Sequence, residues 1–160
     1  MSKLLNVGEV IEFAVHIEQN GFKFYDEIQK KFDDKKFLEL FQYLGSEELN
    51  HEKTFKNLLK NAGSFTPAET YAGEYDAYMR DFLKIHALGN DEALAKKLEE
   101  IKTIEAAVSM ALEFEKDSIV LFTMLKKYIG GKGSDIVENI IHEELSHIHR
   151  ITAFYNEMKD

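Results

Sequence analysis

Four segments of this chain repeat apolar residues every third or fourth position, the spacing of one buried helical face. The stripes run Ala14, Glu18, Gly21, Tyr25, Ile28; then Phe41, Leu44, Glu48, His51, Phe55, Leu58; then Val108, Ala111, Glu115, Ser118, Phe122, Leu125; and last Val137, Ile140, Glu144, His147, Ile151, Phe154. They predict a first helix from about Val7 to Lys31 and a second that Asp33 or Asp34 caps and that ends near Asn61-Ala62-Gly63. A third starts near Thr103 and stops before Gly130-Gly131-Lys132-Gly133, and Ser134 caps a fourth that runs close to the C-terminus. Short joins make each successive pair an antiparallel hairpin. About 40 residues, Ser64 to Lys102, separate the hairpins. A second helix of some 28 residues is about 40 Å long at ~1.5 Å per residue, and the chain must return along it. This stretch therefore predicts a long crossover, with shorter helices over Glu74–Leu88 and Asp91–Ile101 and a loop or turn at Thr66-Pro67-Ala68-Glu69. The expected fold is all-α, a four-helix bundle of two antiparallel hairpins joined by a long, partly helical crossover, with residues 1–160 forming a single domain.

Each stripe is broken by an ionisable residue. Glu18 interrupts the first and Glu115 the third, 97 residues apart. The second and fourth carry Glu47-Glu48-Leu49-Asn50-His51 and Glu143-Glu144-Leu145-Ser146-His147, whose Glu-x-x-His pairs lie 96 residues apart. The halves read as an internal repeat of one helix pair. Ionisable groups rarely enter a core stripe unless paired or bound to metal. A lone buried Glu is more often an ion-pair partner, and a lone Glu-x-x-His is an ordinary surface pattern. Four interruptions at repeat-related positions are not independent, and together they supply the ligands of a dinuclear carboxylate centre. Such ligands suit iron or manganese better than metals that prefer sulfur. Four Glu carry −4 and two divalent ions +4, so a loaded centre with neutral histidines is electrically neutral and can be buried.

The rest of the composition narrows the field. The net charge of −9 repels phosphate backbones, so no nucleic-acid partner is expected. There is no Cys, which removes disulfides, zinc–thiolate sites and iron–sulfur clusters. Neither a signal peptide nor a membrane-spanning run is visible, so a cytoplasmic location without membrane association is expected. Pro occurs once, and Gly is read as clustering between the periodic segments.

The four motifs in order, Glu18-Gln-Asn-Gly-Phe-Lys-Phe-Tyr25, Glu48-x-x-His51, Glu115-Lys-Asp-Ser-Ile and Glu144-x-x-His147, resemble the rubrerythrin branch of the ferritin-like di-iron carboxylate superfamily over about residues 7–155. The resemblance implies a ferritin-like four-helix bundle, often dimeric, with a non-haem di-iron centre that reduces hydrogen peroxide using electrons from a rubredoxin-like partner. By that resemblance Glu18, Glu48, Glu115 and Glu144 are the carboxylate ligands and His51 and His147 the histidine ligands of two iron ions, with manganese or zinc as substitutes. Tyr25 matches a tyrosine near the metals, and its counterpart in the second half is Phe122. Two departures stand out. With no Cys the chain lacks the family's iron–thiolate module, so electrons come from a separate protein or not at all. Leu112 stands where the family carries an extra Glu, and Glu113 lies roughly 200° around the helix from Glu115.

Three functions compete at this stage. The first is a di-iron oxidoreductase, acting on hydrogen peroxide or dioxygen as a homodimer. The second is an iron-oxidising protein for storage or delivery, and the third a structural bundle with a vestigial site. His16, His142 and His149 are not ligand candidates, and His86 in the crossover is either packed or exposed. Glu47 and Glu143 read as surface charges that could support the ligands from outside.

Overall fold

A computed structural model of the chain describes residues 5–62 and 74–160, with side chains from residue 77 onward in the second stretch. Among the described residues there are six helices and no strand: α1 (Val7–Gln29), α2 (Lys35–Lys60), α3 (Glu74–Ile85), α4 (Asp91–Glu100), α5 (Ile104–Ile129) and α6 (Gly131–Lys159). The expected all-α bundle is what forms. Thr66-Pro67-Ala68-Glu69 lies outside the described residues.

Local chemistry sets the helix ends. Asn6 accepts from the Glu9 backbone N–H while the Glu9 carboxylate accepts from the Asn6 N–H, a reciprocal cap that starts α1. Asp34, rather than Asp33, accepts from Phe37 N–H and starts α2. Asn90 and Thr103 do the same for α4 and α5. The expected cap at Ser134 is wrong. α6 starts at Gly131, because Gly130 (φ 67°) and Gly131 (φ 55°) take the positive dihedrals that let the chain reverse at once. Ser134 N–H instead bonds to Gly130 O within the first turn. The expected helix over Glu74–Leu88 stops at Ile85, and the next three residues leave it to plug the bundle. Gly8, Gly21 and Gly45 sit inside helices rather than between them.

The heaviest packing is within each hairpin, α1 on α2 and α5 on α6, with α1 beside α5 and α2 beside α6. Cross-links at the bundle ends fix the directions. Tyr128 O–H donates to Leu5 O, joining the end of α5 to the start of α1, and Lys36 pairs with Glu157, joining the start of α2 to the end of α6. Neighbouring long helices are therefore antiparallel all round. The crossover carries the chain from the α2 C-terminus to the opposite end, where Lys31 donates to the carbonyls of Leu98 and Ile101. Every member of the four stripes is buried except half-buried Phe154.

Candidate metal centre

The stripe positions of α1, α2, α5 and α6 converge at mid-bundle. Glu18, Glu48, Glu115 and Glu144 are fully buried, as nearly are His51 and His147. One ligand atom each from Glu18, Glu48, His51 and Glu144 lie within 4.8 Å of one another, and so do those from Glu48, Glu115, Glu144 and His147. Glu48 and Glu144 belong to both groups. All six ligand candidates are thus brought together, as two overlapping nests of four.

Eight atoms of these six residues, both oxygens of Glu18 and of Glu48 among them, are buried without a hydrogen-bond partner. Buried polar atoms are normally satisfied, since an orphan costs about 1–3 kcal/mol. A cation between the carboxylates would satisfy them, and the oxygen and nitrogen donors suit iron. The residues fit the group.

Electrostatics points the same way. Burial, and then the neighbouring carboxylates, push Glu18, Glu48 and Glu115 well above the usual carboxylate range. Burial alone would lower both histidines. The carboxylates override it, Glu144 for His51 and Glu115 with Glu144 for His147, and raise each to about 10. Glu144 goes the other way. Burial would raise it, but the neighbouring Glu115, the hydrogen bond with His147 Nδ1 at 2.9 Å and His51 Nδ1 at 3.2 Å hold it low and ionised. Carboxylates buried this close together favour bound protons or cations over bare charge.

Tyr25 is fully buried and its O–H donates to Glu115 Oε1 at 2.5 Å. Burial and Glu115 raise its own pKa far above the ordinary phenol value, so it remains a donor. Phe122 packs on Phe55 instead. Leu112 is half-buried against the core and supplies no seventh carboxylate.

Several functional contacts escape the periodicity argument. Glu143 and Glu47 are not idle surface charges: His51 Nε2 lies 2.8 Å from Glu143 Oε2, and His147 Nε2 4.0 Å from Glu47 Oε2. Each helix's leading Glu faces the histidine of the other helix, which its repetition beside the ligands hinted at. Gly21 has no room for a side chain, because a Cβ would sit 2.5 Å from Phe114 and 2.8 Å from Glu48 Oε2. Tyr43 meets His147 edge-on and lies under the Arg150 guanidinium. His86 is packed, not exposed. Its Nδ1 accepts from Leu88 N–H, so Nε2 carries the hydrogen and donates to Ser118 Oγ, and burial lowers its pKa to about 4. His142 and His149 are exposed.

A helical bundle with two carboxylate–histidine nests across facing helices defines a ferritin-like carboxylate protein. The rubrerythrin family profile matches residues 9–155, and the chain belongs to that family. It is also similar to a Thermotoga maritima crystal structure assigned as a ferritin-like diiron-carboxylate protein, at 20% identity and a TM-score of 0.70, over 99% of each chain, a likeness of fold. No match was found among curated proteins. No helix among the described residues is long and apolar enough to cross a membrane.

Proposed function

We propose that the chain is a di-iron oxidoreductase that binds two iron ions and reduces hydrogen peroxide with electrons from a separate donor protein. The observation that carries this reading is the pair of four-residue nests sharing Glu48 and Glu144, with eight buried polar atoms awaiting a partner. In this reading Glu18, Glu48, His51 and Glu144 would hold one ion and Glu48, Glu115, Glu144 and His147 the other, with Glu48 and Glu144 available to both. Two iron ions held by these residues would supply the two electrons that, with two protons, turn one peroxide into two waters.

The chain's own residues do the rest. The carboxylates neutralise the ions in a core that excludes water. Tyr25 holds Glu115 in one orientation and keeps its proton beside the centre. Glu143 accepts from His51 Nε2–H, which orients the ring with Nδ1 inward. In this reading a separate protein re-reduces the centre, since these 160 residues hold no Cys to carry electrons. The family resemblance supports a cytoplasmic homodimer.

Leu112 favours a second reading. With Leu112 in place of a carboxylate one turn before Glu115, the preference for peroxide over dioxygen is weakened, and iron oxidation for storage or delivery becomes the competing function. Anaerobic ferrous loading followed by stopped-flow mixing with peroxide or with air-saturated buffer separates the two. Faster oxidation by peroxide supports the proposal. Equal rates favour iron handling, and a centre that neither oxidant touches ends the redox reading.

A further inference from the structure

We propose that Glu47, Glu143 and the outward Nε2 of His51, with His147 Nε2 at its edge beside Glu47, form a transient outer cation site, through which divalent metal reaches the inner carboxylates. The proposal rests on the dinuclear reading above and adds the route by which that centre fills.

The two sides of the centre differ in access. On the α1/α5 side Phe114 closes against Gly21, and residues 86–88 of the crossover are pinned down by three bonds. Asn20 Nδ2 donates to Leu88 O at 2.7 Å, Ala87 N–H donates to Asp117 Oδ2 at 3.0 Å, and His86 donates to Ser118. On the α2/α6 side Glu47 and Glu143 keep 24% and 53% of their side chains exposed, whereas the four inner carboxylates keep none. Glu47 and Glu143 touch both solvent and the ligand histidines.

The outer atoms are spaced for one ion. An oxygen of Glu47, an oxygen of Glu143 and a nitrogen of His51 lie within 4.8 Å of one another. His147 Nε2 is buried, has no hydrogen-bond partner and is 4.0 Å from the Glu47 carboxylate, so a second imidazole nitrogen looks into the same mouth. The two rings stack with centroids 5.6 Å apart.

Imidazole chemistry makes this site temporary. A hydrated cation cannot be buried until protein oxygens replace its waters, and the half-exposed carboxylates begin that exchange. In His51 one ring nitrogen faces Glu143 at the mouth and the other faces Glu144 inside, so an ion held at Nε2 and an ion held at Nδ1 would call for opposite tautomers of the same ring. A neutral imidazole offers one bare nitrogen, so one ring cannot hold both ions. The outer position fills during loading and empties when the centre is complete. Its donors suit ferrous, manganous or cobaltous ions.

The test is stopped-flow mixing of cobaltous ion with the metal-free full-length protein, followed by visible absorption, with the final metal content measured separately. The wild type should show a fast phase that depends on cobalt concentration and then a slower phase that does not. The double variant Glu47→Gln/Glu143→Gln should lose the fast phase, load at least tenfold more slowly, and still finish with two ions. Glu99→Gln/Glu100→Gln, an equal charge change on exposed α4 positions, should load like the wild type. Unchanged loading in the first variant overturns the proposal. So does equal slowing in the second, which would mean general attraction by net charge. A lower final affinity at an unchanged rate also overturns it, leaving the two carboxylates to orient histidines only. A wild type that takes up no cobalt at equilibrium instead sinks the dinuclear reading itself.

Discussion

The two hairpins carry the same ligand pattern but support it differently. In the first, Tyr25 follows Glu18 by seven residues and reaches across to Glu115 of the second hairpin. In the second, Phe122 holds the corresponding place and packs on Phe55, so Glu18 receives no such bond and both its oxygens stay unpartnered. Three residues after each of these carboxylates the halves differ again. Gly21 makes room for Glu48 and Phe114, whereas Ser118 takes a hydrogen bond from the crossover through His86. The repeat makes the candidate ligand types symmetric, and the residues around them make the two proposed metal positions unequal. Both Glu18 oxygens are left without a hydrogen bond, while Glu115 Oε1 accepts one from a phenol.

The largest test of this picture separates shared ligands from private ones. Glu48→Ala or Glu144→Ala strikes both nests and should reduce bound iron from two ions to none. Glu18→Ala strikes one and should leave a single ion at the Glu115 position. Metal analysis after loading checks this, and a full complement in Glu144→Ala would falsify the assignment.

Metal removal should come next, because the shared ligands tie one hairpin to the other. A ligand bound only by the folded state adds about 2.7 kcal/mol at a hundredfold excess over Kd. The effect should depend on pH. Glu18, Glu48 and Glu115 are raised in the metal-free fold, so their contribution is whole below the ordinary value of 4.5 and is lost as pH rises. The contribution of His51 and His147 is whole below about 6.5 and lost as pH climbs through about 10. Glu144, held low, contributes only above the ordinary carboxylate range, and that part is lost on acidification. The melting-temperature gap between loaded and metal-free protein should therefore widen from pH 5 to pH 8. A gap that narrows over this range would contradict the electrostatic account.

Gly21→Ala asks whether the first half needs its missing side chain. Overpacking of this kind costs about 1–3 kcal/mol, and here the intruding methyl also displaces Glu48 Oε2. Ser118→Ala, in the matching place, should cost roughly 1 kcal/mol for the lost bond to His86 and leave metal content unchanged. Denaturant unfolding with parallel metal analysis compares them, and equal metal loss in both variants would count against the inequivalence.

The smallest effect should come from Tyr25→Phe. Glu115 leans toward its protonated form without metal, so the lost bond is an ordinary one, worth about 1 kcal/mol in the metal-free protein. With metal, freeing Glu115 should bring the two binding steps closer in affinity. Titration calorimetry would show it, and steps as far apart as before would remove Tyr25 as the source of the asymmetry.

Much of this was written in the linear chain. Apolar spacing in one helix is a local property, so the four long helices, the two hairpins and the six residues Glu18, Glu48, His51, Glu115, Glu144 and His147 are legible there. An i,i+3 pair such as Glu48 and His51 shares a face whatever surrounds it. Helix ends were legible where a side chain does the capping, as at Asp34 and Thr103, and at the end of α5 before Gly130, but not at the start of α6, where the dihedrals of Gly130 and Gly131 decide.

The rest depends on register between helices, which the packing of the whole core sets. Only the assembled bundle shows that Glu48 and Glu144 are common to both nests, that each histidine turns Nδ1 inward, and that Glu143 and Glu47 face the histidines of the opposite helix. It also places the Tyr25 hydroxyl on Glu115, 90 residues away, and His86 against Ser118. Residues so far apart meet through close-packed surfaces, whose fit no one-dimensional period encodes.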